Sequence, residues 1–140
     1  MKRITALAFL TAALVSMGSF RAHAQAIQFK VPFDFTVQSK ALPAGTYQVS
    51  YVAASSILIR SLDGRFYALT ITNAAEGSPT SGGKLIFRKY GNQYFLHEAL
   101  CNNMGMNAEI PTSGLEERAR IQQAQIPGSE TVAALHVGAK

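Results

Sequence analysis

The sequence predicts an all-β fold, a small antiparallel sandwich or barrel of about six or seven strands with one short C-terminal helix. Two kinds of observation predict it. Several runs alternate apolar and polar residues with period two, the mark of a strand with one buried face. Between them stand the turn signals Leu42-Pro43-Ala44-Gly45, Asp63-Gly64 and Gly91-Asn92. Tight turns at such spacing suit neighbouring antiparallel strands and leave no room for βαβ crossovers.

The chain opens with Met1-Lys2-Arg3, then an apolar run from Ile4 to Met17, then Ala22-His23-Ala24. A basic start, an apolar core and an Ala-x-Ala end are the parts of a secretory signal peptide. The run is shorter than the ~20 residues a spanning helix needs. Gln25 stands where a lipoprotein would carry cysteine. The expectation is cleavage after Ala24, a β-rich domain over 25–140, and export to the periplasm or beyond the cell without stable membrane insertion. Lys2, Arg3 and Arg21 leave with the peptide, so ten of the thirteen basic side chains face eight acidic ones. The whole-chain charge of +5 becomes +2, and nucleic acid is not an expected partner. Cys101 is the single cysteine, so no internal disulfide forms, and a free cysteine of this kind is expected in the core.

Phe29, Val31, Phe33, Phe35 and Val37 alternate with Lys30, Pro32, Asp34 and Thr36, which reads as one strand. Pro32 has no N–H for a ladder, so the strand belongs at an edge or carries a bulge. The Pro43-Ala44-Gly45 turn follows, then Tyr47, Val49 and Tyr51 alternate in a second strand. Ile57–Leu62 and Arg65–Thr72 flank Asp63-Gly64, with Leu62 opposite Arg65, Arg60 opposite Tyr67 and Leu58 opposite Leu69. Residues 73–83 read as a polar, glycine-rich loop. Lys84–Tyr90 and Gln93–Leu100 flank Gly91-Asn92, the order a type II′ turn prefers. The pattern then fades until Ser113-Gly114-Leu115-Glu116, a capping box that starts a helix over Gly114–Gln125 with a thin apolar stripe of Leu115, Ala119, Ala124 and Ile126. Thr131–Val137 reads as a last strand.

The Gly91-Asn92 register sorts two faces. One carries Phe87 opposite Leu96, with Leu85 and Leu100, and reads as core. The other sets Ile86 opposite His97, Arg88 opposite Phe95 and Tyr90 opposite Gln93. Arg88, Tyr90, Phe95 and His97 are the candidate ligand-contacting residues, suited to a glycan or a lipid head group. The competing reading has Arg88 stacked on Phe95, or this face buried under the helix.

Catalytic and metal chemistry find few partners. After export only His97 and His136 remain, too few for a zinc site, and no metal or cofactor is expected. His97-Glu98 supplies a base and a carboxylate, but consecutive strand residues point to opposite faces. Glu98 orients His97 only if the strand breaks there. Asp34 lies on the polar face and reads as solvated or bonded to a turn rather than as a general base.

The blocks "VPFDFTV", "LPAGTYQV", "KLIFRKYGNQYFLHE" and "PTSGLEERAR", in that order, resemble a group of small secreted bacterial proteins of unknown function, frequent among acidobacterial sequences. The resemblance spans about Val31 to Arg120. It implies a signal peptide, a compact β-rich domain and no assigned activity, and it carries over no catalytic residue. "LPAGTY" also resembles a turn in transthyretin-like sandwich modules.

The functional expectation is a non-enzymatic exported β-domain, a binding or structural module of the cell envelope or extracellular space. Its partners are then an envelope glycan, a protein or a small apolar ligand. A barrel enclosing an apolar ligand is the alternative. An exported hydrolase is a third reading, which requires His97 within reach of a carboxylate and a nucleophile.

Overall fold

The computed structural model describes residues 26–76, 82–126 and 133–139. The expected export segment therefore lies outside the described residues, as does Thr131. Two sheets face each other across one core. The first has strand order β1-β4-β5-β6, comprising β1 (Ile27–Val31), β4 (Gly45–Ala53), β5 (Ser56–Ser61) and β6 (Tyr67–Ile71), all antiparallel. The second runs β11 (Ala133–Gly138), β8 (Gly83–Tyr90), β9 (Gln93–Cys101), β10 (Met106–Glu109) and β7 (Asn73–Ala74). A small hairpin, β2 (Phe35–Val37) with β3 (Lys40–Leu42), joins it through a parallel bridge between Thr36 and Phe95. The sheets are stitched along one side by a bridge between Phe29 and Ala139. The all-β fold with one helix, α1 (Gly114–Ala124), is as the sequence predicts. The strands outnumber the expectation because four of them are only two to four residues long.

The run from Phe29 to Val37 is not one strand. It breaks at Pro32–Asp34, leaving β1 in the first sheet and β2 in the second. Pro32 removes the donor that would continue the ladder, and the chain uses that gap to cross between layers. Phe29, Val31, Phe35 and Val37 are all buried on both sides of the break. Alternation survives the crossing because each half still points one face at the shared core. Asp34 closes the corner: its Oδ1 accepts from Ala44 N–H at 2.7 Å, so it is bonded to the Pro43 turn. Tyr47 closes it from inside, donating to the Pro43 carbonyl at 2.6 Å. The β2–β3 turn, which carries no Asn-Gly type signal, forces Gln38 to a φ of +57°, and its amide is held by the Pro111 carbonyl at 2.8 Å.

The Asp63-Gly64 hairpin keeps the expected register, with Arg60 opposite Tyr67 and Leu58 opposite Leu69. Its tip is wider than two residues, because Ser61 N–H pairs with the Phe66 carbonyl and the Leu62–Arg65 pair does not form. Asp63 organises that loop by accepting from the Ser61 hydroxyl at 2.5 Å and from Arg65 N–H at 3.1 Å.

The Gly91-Asn92 hairpin also keeps its register near the turn, then departs from it. Phe87 pairs with Leu96, but Ile86 pairs with Glu98, so His97 is an extra residue in β9. Such a bulge reverses the facing of everything beyond it. Ala99 and Cys101 enter the core, while Leu100, expected there, is buried away from it. The buried state of Cys101 agrees with the sequence expectation. Beyond it, a 3-10 turn over Asn102–Met104 and Gly105 (φ +59°) lead into β10, a strand the sequence reading passed over. Phe29, Tyr47, Ile57, Phe87, Leu96 and Met106 are among the largest fully buried side chains. Each contributes roughly 1.5–3 kcal/mol of apolar burial.

Candidate functional site

Helix α1 lies on the outer face of the second sheet, the face that carries the candidate ligand-contacting residues. Ser113 caps it, accepting from Glu116 N–H at 3.2 Å. Of the expected apolar stripe the helix buries Ala119, whereas Leu115, Ala124 and Ile126 are exposed and Glu116 is buried instead. The sheet beneath explains this. A leucine laid there would leave the Tyr90 hydroxyl without an acceptor and Arg88 without a carboxylate. Glu116 instead accepts from the Tyr90 hydroxyl at 3.2 Å and lies 3.6 Å from Arg88 Nη1. Burial, then the Glu116 charge and hydrogen bond, push the Tyr90 phenol above its ordinary range.

Arg88 is bonded rather than stacked. Its Nη2 lies 2.9 Å from His97 Nε2 and its Nη1 lies 3.5 Å from Thr112 Oγ1. Tyr90, not Arg88, packs edge-on against Phe95, with ring centroids 5.9 Å apart. Ala119 closes over both rings. Tyr90 and Phe95 are 5% and 3% exposed, so the surface pictured as open is covered at its aromatic half.

The bulge gives His97 its neighbours. With His97 and Glu98 both on the outer face, Nε2 lies 3.4 Å from Glu98 Oε1 and 4.0 Å from Glu109 Oε1. β9 does not break, but its bulge turns Glu98 to the His97 side as a break would. Nε2 thus sits between a guanidinium that only donates and carboxylates that accept. The other ring nitrogen, Nδ1, is buried without a hydrogen-bond partner. No serine, threonine or cysteine bonds the ring among the described residues. Cys101 is in the core, and the Thr112 hydroxyl faces Arg88. No group of three or more histidine, cysteine or acidic side chains suited to a metal ion occurs among the described residues. Sequence reasoning brought Arg88, Tyr90, Phe95 and His97 to one face correctly. It brought Glu98 there only on condition of an interruption in the strand, and it did not bring Glu109, Thr112 or Glu116, whose arrival depends on the bulge and on helix docking.

A second feature lies at one end of the molecule, where the three sequence-legible turns converge. A cleft of about 370 Å³ is lined by Asp34, Pro43, Phe66, Asn92, Gln93 and Tyr94, over a floor that includes Phe35 and Leu42. Pro43 and Phe66 also line an adjoining cleft of about 390 Å³, walled by Thr46, Ser61, Asp63 and Arg65. Phe66 is 39% exposed on this shared rim. Tyr94 is held in place by stacking on Phe33, with centroids 4.2 Å apart. The Ser61 hydroxyl and then Arg65 lower the Asp63 carboxyl to about 2, so it is ionised at neutral pH. The Arg65 guanidinium is already spent on Asp63 at 2.8 Å. The rims are therefore amide, carboxylate and aromatic; Arg65 is paired with Asp63, and Lys89 Nζ lies 5.4 Å from the Tyr94 ring centroid.

No helix among the described residues is long and apolar enough to cross a membrane. No family model, curated protein or solved structure matches the chain.

Proposed function

We propose that the protein is an exported, non-enzymatic binding module of the cell envelope, and that it binds at the turn-lined end rather than on the helix-covered face. One observation carries this reading: the exposed Phe66 ring on the rim shared by two clefts, beside the Asn92 and Gln93 amides and the Asp34 carboxylate. An aromatic face beside amide and carboxylate groups suits a neutral, hydroxyl-rich ligand. The ring packs against the C–H face of a sugar, and the polar groups pair with its hydroxyls. An anionic head group finds less there, since Arg65 is paired and the walls carry Asp34 and Asp63. The reading of an enclosed apolar ligand draws little support, because the space between the sheets is filled by core side chains. The hydrolase reading has its carboxylates at His97 but lacks a nucleophile among the described residues.

The test is native mass spectrometry of the exported, purified chain, followed by NMR titration with soluble peptidoglycan fragments. Binding shifts the resonances of Phe66, Asn92 and Gln93, and Phe66→Ala abolishes it without lowering the unfolding midpoint. Shifts confined to Arg88 and His97, or none with any envelope glycan, would sink the proposal.

A further inference from the structure

The β6 strand presents its most apolar side chains to solvent. Tyr67, Leu69 and Ile71 are 58%, 64% and 69% exposed, and β6 is the edge of the first sheet, paired only with β5. Exposed edges are ordinarily guarded by lysine, proline, a bulge or brevity. The other edges among the described residues are guarded or occupied. β1 carries Lys30, and its Phe29 bridges to Ala139 beside β11. β3 is three residues long with an exposed Lys40, and β7 has two residues. From Tyr67 to Ile71 the strand has no charge of its own, no proline and no bulge. Lys40 Nζ lies 5.4 Å from the Tyr67 ring centroid, at one end, and Leu69 and Ile71 have no such neighbour among the described residues.

The register shows which backbone groups are open. Ser61 N–H bonds the Phe66 carbonyl at 2.8 Å, and Thr72 N–H bonds the Ser55 carbonyl at 2.8 Å. Hydrogen-bonded and non-bonded pairs alternate in an antiparallel ladder. The bonded pairs between those ends are therefore Ile59–Ala68 and Ile57–Thr70. Arg60–Tyr67, Leu58–Leu69 and Ser56–Ile71 are the non-bonded ones. Tyr67, Leu69 and Ile71 thus aim their N–H and C=O groups away from β5, at the open edge. Of these six groups only the Ile71 carbonyl has a local donor, the Thr70 hydroxyl at 3.1 Å. The residues with free backbone groups are the residues with exposed apolar side chains.

We infer that β6 is a self-association edge, at which two copies of this chain pair antiparallel about Leu69 to make one continuous sheet. The strand is complementary to itself in that arrangement. Leu69 faces Leu69 of the second copy, and Tyr67 faces Ile71 in both directions. Every outward N–H then meets an outward carbonyl, and bulky apolar side chains stand opposite each other as cross-strand pairing favours. No like charges are opposed within the strand. Tyr67, Leu69 and Ile71 are each more than half exposed on each copy, with Leu62 beyond one end of the strand. A second copy would therefore cover less than the ~1,200 Å² of a standard interface, the size of a weak, transient contact. A contact of that size is expected to be reversible rather than permanent. The inference is independent of any ligand at the clefts.

Sedimentation equilibrium on the exported, purified chain tests it. A monomer–dimer equilibrium is expected, and Leu69→Lys should weaken it by more than about tenfold with an unchanged unfolding midpoint, since the side chain is exposed. If that variant folds poorly, Ile71→Lys repeats the test. Hydrogen exchange then reads the pairing mode. The amides of Tyr67, Leu69 and Ile71 should be protected in the dimer and open in the monomer, whereas Ala68 and Thr70 are protected in both. A monomer up to about 1 mM, or a dimer indifferent to Leu69→Lys, overturns the inference. So does a dimer that leaves the Tyr67 and Leu69 amides open, or association only with an extended segment of another protein.

Discussion

His97 and Glu98 are consecutive residues of β9, yet their side chains meet at 3.4 Å on one face of the sheet. The bulge at His97 is the cause, and it has an electrostatic consequence. Glu98 lies directly opposite Glu109 across the β9–β10 ladder, a like-charge pair that costs stability unless something intervenes. His97 and, behind it, Arg88 occupy that place. His97→Ala is expected to lower stability by about 1 kcal/mol through the lost Arg88 partner and the unshielded carboxylates. Adding Glu109→Gln should return part of that loss. Urea unfolding of the single and double variants reads both effects.

Glu116 holds the helix to the sheet through a buried carboxylate, with the Tyr90 hydroxyl and Arg88 as partners. Glu116→Ala leaves the Tyr90 hydroxyl without its acceptor and removes the Arg88 ion pair, and should cost about 1–3 kcal/mol. In that background Tyr90→Phe should be milder than it is alone, with a coupling of at least about 0.5 kcal/mol. Tyr90 also predicts an alkaline signature. Its folded value is raised above 10.0, so its contribution is complete below that pH and is lost as pH rises through the higher folded value. Ultraviolet titration should show Tyr90 ionising later than a free phenol, and only partly restored by Glu116→Ala, since burial is the first cause.

Gly83 is required by the stitch between the two sheets. A Cβ there would sit 2.8 Å from Ala139 Cβ and 2.9 Å from Phe29 Cζ. Neither neighbour has a flexible end to move, so Gly83→Ala should destabilise by roughly 1–3 kcal/mol. The same exchange at Gly114, where the space is open, should not. Thermal unfolding of the two variants compares them directly.

Asp63 gives an acid-side prediction. Its carboxyl is lowered from 3.8 to about 2, first by the Ser61 hydroxyl and then by Arg65. A lowered carboxylate contributes above its unfolded value and loses that contribution as pH falls through the folded one, here between about 4 and 2. The group is exposed, so the effect on overall stability is small. Carboxyl-carbon NMR is the sharper measurement: Ser61→Ala should move the Asp63 midpoint back toward its ordinary value.

Much of the fold was legible because strand and turn chemistry are local. Gly91-Asn92 and Asp63-Gly64 announce their hairpins, and the strand registers near them follow by counting. Ser113 and Glu116 announce the helix start. What could not be counted was the extra residue at His97. A bulge leaves no periodic signature in "FLHEALC", where apolar and polar residues suit either facing. The Pro32 crossing was legible as an interruption but not as a change of sheet. For the same reasons the candidate site was half read: Arg88, Tyr90, Phe95 and His97 were placed together, while the acids that surround them were not.

By itself the sequence determined the all-β class, the tight turns and the helix cap, because each depends on residues within a few positions of one another. The tertiary structure decided which faces stay open. It laid Glu116 over Tyr90, turned His97 beside Glu98, gathered three turns around Phe66 and left the β6 edge uncovered. The physical reason is common to all four. Exposure depends on which distant surface arrives, and burying a polar group is tolerated only where its partners arrive with it.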